Sequence, residues 1–157
     1  VPMLVHAPGM AGNGRRTAAL SELLDLFPTL VDLCRLPHPD GLEGRSLVPV
    51  LDDTTASTKP AAFTQHPRPA YYDRTPDAQP TAMGVSVRTS DARYTEWRDW
   101  KTGDVMAREL YAAADEPAQT RNLIDDPAAT DLLKRAEPLL HAQFPLGATP
   151  APRSQTR

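Results

Sequence analysis

Apolar and polar residues alternate with period two from Met83 onward, with Met83, Val85 and Val87 on one side and Gly84, Ser86 and Arg88 on the other. That alternation predicts a half-buried β-strand. Ser90-Asp91 interrupts the chain before Arg93-Tyr94-Thr95-Glu96-Trp97, where β-branched and aromatic residues alternate with charges, so this run fits as the antiparallel partner in a hairpin. Lys101-Thr102-Gly103-Asp104 supplies the next reversal, with Gly103 free to take a positive φ. A third strand, Val105 to Tyr111, alternates less cleanly because Arg108 and Glu109 are adjacent, which places it at an edge or against a second chain segment.

Elsewhere the pattern is broken more often. Val1 to Ala7 reads as a short buried strand, already in progress at the first residue, ending in the Gly-rich loop Gly9 to Gly14. That loop has neither the G-x-x-x-x-G-K-[ST] nor the G-x-G-x-x-G spacing of a phosphate cradle, and is read as a surface loop. Leu23, Phe27, Leu30, Val31 and Cys34 recur at three-to-four spacing, predicting a helix from about Leu26 to Arg35 that packs on this stripe. Asp25 is its expected N-cap, which puts Pro28 in the first turn, where a missing N–H costs little. Cys34 then reads as a buried structural thiol, and the segment 36–41 as the helix stop. Gly44 to Leu51 looks like a loop entering a helical turn, Asp52 to Lys59 a polar linker, and Ala61 to Gln65 a strand. Residues 71–80 form a polar, proline-rich excursion, Asp115 to Asn122 a capped turn, and Pro127 to Phe144 a helix with Leu132, Leu133, Ala136, Leu139 and Leu140 inward and Pro138 as a kink.

Length and composition set bounds on this picture. At 157 residues with 40% hydrophobic side chains the chain can bury an ordinary core. Seventeen prolines against eight glycines favour irregular connections. A net charge of -3, both signs interspersed, gives no field suited to a polyanion, which argues against nucleic acid. No apolar run approaches the ~20 residues that span a bilayer. One cysteine excludes an internal disulfide, and the absence of an initiator methionine and of a signal segment suggests a piece of something longer.

Candidate chemistry is sparse. Histidines 6, 38, 66 and 141 show no metal-ligand spacing, and no G-x-S-x-G elbow occurs. The acidic pairs Asp52-Asp53 and Asp125-Asp126 read as solvated loop residues. In His66-Pro67-Arg68-Pro69 two prolines hold a titratable ring and a cation on a stiff loop; the competing reading is an exposed turn whose Arg68 pairs with a carboxylate. Arg88, Arg93 and Arg98 with Tyr94, Trp97 and Trp100 have the chemistry to bind an anionic sugar by ion pairing and stacking, or to form ordinary cross-strand packing. On the residues alone, this is an α+β piece without a self-contained catalytic set.

Four segments together resemble the C-terminal portion of a sulfatase, closest to the iduronate-2-sulfatase-like branch: VPMLVHAPG from Val1, ELLDLFPTLVDLCRLPHPDGLEGRSLVPVL from Glu22, FTQHPRP from Phe63, and MGVSVRTSDARYTEWRDW from Met83 with its continuation through RELY at Tyr111. The D-L-F-P-T-L and L-x-G-R-S-L runs point to the superfamily, and the Q-[YH]-P-R-P and M-G-x-S-x-R-T…R-Y-T-x-W runs to the branch. The resemblance implies a hydrolase of sulfate esters, on a sulfated sugar, in which a formylglycine made from Cys or Ser in C/S-x-P-S/A-x-R attacks sulfur beside a calcium ion. Cys34 departs from that motif, since Arg35-Leu36-Pro37-His38 follows it, and is not the modified residue.

The implied fold class is α+β: the end of the sulfatase (alkaline-phosphatase-like) α/β domain over residues 1–60, a small antiparallel sheet subdomain with a packed C-terminal helix over 61–147, and a flexible tail over 148–157. By the same resemblance Gln65, His66, Arg68 and Trp97 are substrate-side residues, while Tyr71 and Arg93 are structural. Catalytic and metal-binding residues are expected upstream, so the chain alone is expected to bind no calcium and to turn nothing over; its partners are the missing N-terminal part of the enzyme and the sulfated sugar. A non-catalytic carbohydrate-binding or structural module, and a phosphatase or phosphonate hydrolase of the same superfamily, are the alternatives.

Overall fold

The computed structural model describes residues 3–70, 79–115 and 119–147. The chain divides into two compact units, Val1–Ala62 and Phe63–Arg157. The expected excursion at 71–80 lies, for residues 71–78, outside the described residues, as do residues 116–118 of the expected capped turn and the tail from 148.

In the first unit, a 3₁₀ turn over Leu23–Asp25 leads into helix α1, Leu26–Leu33, and Val48–Asp52 forms the short helix α2. Pro28 lies in the first turn of α1 as the sequence predicts. Asp25 occupies the N-cap position, yet its carboxylate does not cap the helix. It accepts instead from the Glu22 amide at 2.8 Å, the Arg45 amide at 2.8 Å and Lys59 Nζ at 2.7 Å. Thr29, one turn on, accepts from the Leu47 amide at 2.8 Å and donates to the Asp25 carbonyl at 2.6 Å. Gly44 passes so close to the chain that a Cβ there would collide with the Leu24 carbonyl oxygen. The D-L-F-P-T-L and L-x-G-R-S-L runs are thus two halves of one backbone staple.

Three expectations for this unit fail. Residues 3–7 form no strand, and Leu4 is exposed while Ala7 is buried. A strand needs a ladder partner, and the described residues offer none here. Of the expected stripe helix α1 buries only Val31, together with Pro28 and Thr29, while Leu23, Phe27 and Leu30 are exposed and Cys34 is exposed instead of buried. The helix also stops before the Pro-rich segment. Arg35 turns left-handed at φ 54°, with Arg35 N–H bonding the Asp32 carbonyl and Leu36 N–H the Val31 carbonyl, a Schellman closure.

The second unit is a four-stranded sheet in the order β1-β2-β3-β4, with β1 Ala62–Arg68 starting at the boundary residue, β2 Ala82–Arg88, β3 Ala92–Asp99 and β4 Val105–Ala112. The three strands of the Met83–Tyr111 pattern form as predicted, and β4 lies at an edge. Strand β1 runs on through His66 and Arg68, so these residues sit on an edge strand and not on a loop. An edge strand tolerates Pro67, whose missing N–H need not face a ladder partner. At the β3–β4 turn the Asp99 carboxylate accepts from the Lys101 and Thr102 amides, and Gly103 takes φ 75°.

Helix α3, Thr130–Gln143, follows a 3₁₀ turn at Pro127–Ala129 and packs on β2 and β3. Ala136 and Leu140 are its fully buried residues, with Leu132, Leu133 and Leu139 half-buried. Pro138 lies on the exposed side and neither splits nor ends the helix. Val85, Val87, Tyr94 and Leu110 fill the core beneath it.

Candidate functional site

The period-two alternation divides the sheet into two faces of different chemistry. Pairing sets Gly84 opposite Trp97, Ser86 opposite Thr95, and Arg88 opposite Arg93 between β2 and β3. Between β3 and β4, Trp97 faces Ala107, Thr95 faces Glu109, and Arg93 faces Tyr111. These residues share the face turned away from α3. Tyr94, Glu96 and Arg98 occupy the other, beneath the helix. The six Arg and aromatic residues suggested by the sequence are therefore not one cluster.

On the open face Trp97 lies across the middle of the sheet. Gly84 makes this possible, since a Cβ there would meet three atoms of the indole at 2.8, 3.0 and 3.1 Å. The indole N–H donates to Glu109 Oε1 at 2.8 Å, and a register shift between Trp97 and Arg98 loosens the ladder at that point. Reaching over β2, the ring meets Arg68 of β1, whose guanidinium carbon stands 4.9 Å above the ring centroid. Such a stack leaves the edge of a guanidinium available to an anion while fixing its plane. Arg68, His66 and Gln65 are exposed, and Trp97 is half-buried. Further along, the Arg93 guanidinium carbon lies 5.2 Å from the Tyr111 ring centroid. Burial, then the neighbouring Glu109 carboxylate, pushes the Tyr111 phenol up. Tyr71 lies outside the described residues.

Beneath α3 the same strands hold a closed ionic network. Glu96 is fully buried and accepts from Tyr94 Oη at 2.8 Å, Arg98 Nε at 2.9 Å and His141 Nε2 at 2.7 Å. Burial works against its charge, but the hydrogen bonds from His141, Tyr94 and Arg98 outweigh it and hold the carboxyl below the ordinary glutamate range. Tyr94 shifts the other way: burial, reinforced by its bond to Glu96, pushes the phenol far up. Arg98 also donates to the Phe144 and Pro145 carbonyls, fastening the end of α3 to β3.

Neither this network nor the Lys59 site was visible in the sequence. His141 and Glu96 lie 45 positions apart, and Lys59, at the end of an apparently solvated linker, is buried between Glu22 Oε2 at 2.6 Å and Asp25 Oδ1 at 2.7 Å.

A calcium ion needs six to eight oxygen ligands. Among the described residues one group could approach a metal, Glu96, Glu137 and His141, with ligand atoms within 4.8 Å of one another. Its most buried carboxylate is already committed to three donors, one of them a guanidinium. The set does not fit calcium.

The model of the family described as N-sulphoglucosamine sulphohydrolase, C-terminal, matches residues 1–143. Mouse iduronate 2-sulfatase is 31% identical, the match covering 80% of this chain and 28% of that protein. Arylsulfatase K of Rattus norvegicus is 28% identical over 78% of this chain and 21% of its own length. Among solved structures, a 2-O GAG sulfatase aligns with a TM-score of 0.59 at 28% identity, over 76% of this chain and 23% of that one. A putative sulfatase from Bacteroides thetaiotaomicron gives 0.58 at 28% identity, over 75% and 23%. The chain thus spans about a quarter of the length of the proteins it matches. With its antiparallel sheet, its packed helix and the match over residues 1–143, the chain belongs to the N-sulphoglucosamine sulphohydrolase C-terminal family of the sulfatases.

Proposed function

We propose that this chain is the substrate-side part of a sulfatase that hydrolyses sulfate esters of a sugar, in the manner of an iduronate 2-sulfatase. The formylglycine nucleophile and the calcium ion of such an enzyme are assigned to the polypeptide upstream of Val1, the first because Cys34 departs from the C/S-x-P-S/A-x-R motif and the second because the donor set around Glu96 is committed to internal bonds. The observation that carries the reading is the Arg68–Trp97 stack, which presents a fixed, exposed cation on the sheet face turned away from α3 in a chain of sulfatase descent. Arg68 pairs with an anionic group of the sugar, a sulfate or a carboxylate, by charge-assisted hydrogen bonds. Trp97 holds the plane of that guanidinium, and His66, two residues before Arg68 on the same face of β1, supplies polar contacts to the ring hydroxyls, whereas Gln65 takes the opposite face of the strand. This chain's own role is binding and orientation, not bond cleavage.

The test has two arms. The 157-residue chain, incubated with a chromogenic aryl sulfate and calcium, should release no sulfate; turnover by it would refute the assignment of the catalytic groups upstream. In the intact polypeptide, Arg68→Gln should raise KM for a sulfated disaccharide about tenfold or more while leaving aryl sulfate hydrolysis unchanged. An equal loss on both substrates would point to a structural role for Arg68. An upstream reading frame without C/S-x-P-S/A-x-R would favour a non-catalytic module, and a preference for phosphate esters would favour a phosphatase of the same superfamily.

A further inference from the structure

Helix α1 is amphipathic in the wrong direction for an isolated unit. At 100° per residue, Leu23, Phe27, Leu30 and Cys34 fall within about 60° of one another, whereas Asp25, Pro28 and Thr29 lie around the opposite side and Val31 at the border between the two. The second set is buried. The first set is exposed: Leu23 at 64%, Phe27 at 54% and Leu30 at 58%, with Cys34 exposed beside them and Leu36 at 56% just beyond. A helix that buries its polar threonine and the aspartate at its start while offering a leucine-phenylalanine stripe to water has two packing faces. Only one of them is satisfied by the described residues.

We infer that the Leu23–Phe27–Leu30–Cys34 face of α1 is a docking surface for the polypeptide that precedes Val1 in the intact sulfatase. This rests on the reading of the chain as the C-terminal part of a longer enzyme. Two observations select that occupant. The matching family is a C-terminal one, and most of the relatives' length lies outside the matched region, since the match covers 28% of mouse iduronate 2-sulfatase. An anionic membrane surface fits poorly, because Leu26–Leu33 contains no lysine or arginine and does contain Asp32. The stripe that the sequence assigns to a core does face a core, but one that this chain does not complete by itself.

Cys34 makes the surface measurable. In the 157-residue chain its thiol should react with a bulky aromatic disulfide at a rate close to that of an unfolded control, and the chain should bind a hydrophobic dye. In the intact polypeptide the same thiol should react at least tenfold more slowly, and Leu30→Asp should restore the fast rate. Leu30 is exposed in the chain, so this variant should keep the circular dichroism and unfolding midpoint of the parent chain; Phe27→Ser serves if it does not. Equal rates in chain and intact polypeptide would overturn the inference. So would concentration-dependent protection of the chain alone, which would indicate a second copy as the occupant, or partition onto anionic vesicles. Sulfate release is read on the same intact sample: protection of Cys34 without turnover would sink the proposed activity and keep the docking face, and turnover with a fully reactive Cys34 would do the reverse.

Discussion

Gly84→Ala is the smallest change that interrogates the open sheet face. The new methyl would lie 2.8 Å from Trp97 Cζ3, 3.0 Å from Cη2 and 3.1 Å from Cε3, all inside ordinary carbon contact. Relief requires the whole indole to move, because these are three neighbouring atoms of one rigid ring. Motion is resisted by the 2.8 Å bond from Nε1 to Glu109 and by the Arg68 stack. A hydrogen bond to a charged group contributes about 1.5–3 kcal/mol and an exposed cation–π contact about 0.5–1 kcal/mol. Overpacking costs about 1–3 kcal/mol, and replacing glycine within a strand returns about 0.5–1 kcal/mol of backbone entropy. The net expectation is a loss of about 1–2 kcal/mol, read as a lower urea midpoint at unchanged slope by far-ultraviolet circular dichroism. The decisive control is the same substitution in a Trp97→Leu background, where the obstructing ring is gone and the alanine should be neutral or stabilising. An equal cost in both backgrounds, or none in either, would refute the claim that Gly84 exists to let Trp97 reach Arg68.

Lys59→Met should cost about 3–5 kcal/mol in urea unfolding, since it leaves Asp25 and Glu22 facing each other without their buried cation; a change under about 1 kcal/mol would show that the ion pairs are solvated. Gly44→Ala should prevent folding of the first unit, because the obstructing atom is the Leu24 backbone oxygen, and a soluble variant with unchanged stability would contradict this. Glu96 has a folded pKa below its ordinary value, so its contribution is complete above about pH 4.5 and disappears as pH falls through the folded value; Glu96→Gln should flatten the acid limb of the stability profile. Tyr94 has the opposite sign: its folded pKa is raised, so its contribution is lost as pH climbs above 10, and Tyr94→Phe should flatten the alkaline limb.

What the sequence made legible followed from how far apart the interacting residues lie. The β2–β3–β4 meander was readable because each strand pairs with its neighbour in sequence, so alternation, turn residues and register carry nearly all the information. Strand β1 was readable only in its first half: prolines in His66-Pro67-Arg68-Pro69 signal a loop locally, and that the run is an edge strand is decided by a β2 that starts fourteen residues after Arg68. Position 25 was correctly placed at the start of α1, but not its function, because a helix N-cap and an acceptor for Arg45 and Lys59 look identical in sequence. For the same reason the resemblance could nominate Arg68 and Trp97 singly, while the stack that joins them depends on a glycine in a third strand.

The α1 stripe gives the sharpest form of this argument. Periodicity reports that a face is apolar; it does not report which chain segment covers it. In the first unit two superfamily runs, Asp25 to Leu30 and Leu42 to Leu47, use their polar members on each other: Asp25 and Thr29 accept from the Arg45 and Leu47 amides, and Lys59 closes the set. That staple consumes the polar side of α1 and leaves its leucines outward. The polar interior and the apolar exterior of this helix are therefore one design: an internally bonded wedge with an exposed apolar edge. A polar residue pattern that buries itself so completely has no need of solvent on that side, and an apolar edge held so rigidly by it is poorly placed to collapse inward. Substituting the staple and substituting the stripe should accordingly separate cleanly. Asp25→Ala lowers the stability of the isolated chain, whereas Leu30→Asp leaves the isolated chain intact and acts only when the upstream polypeptide is present.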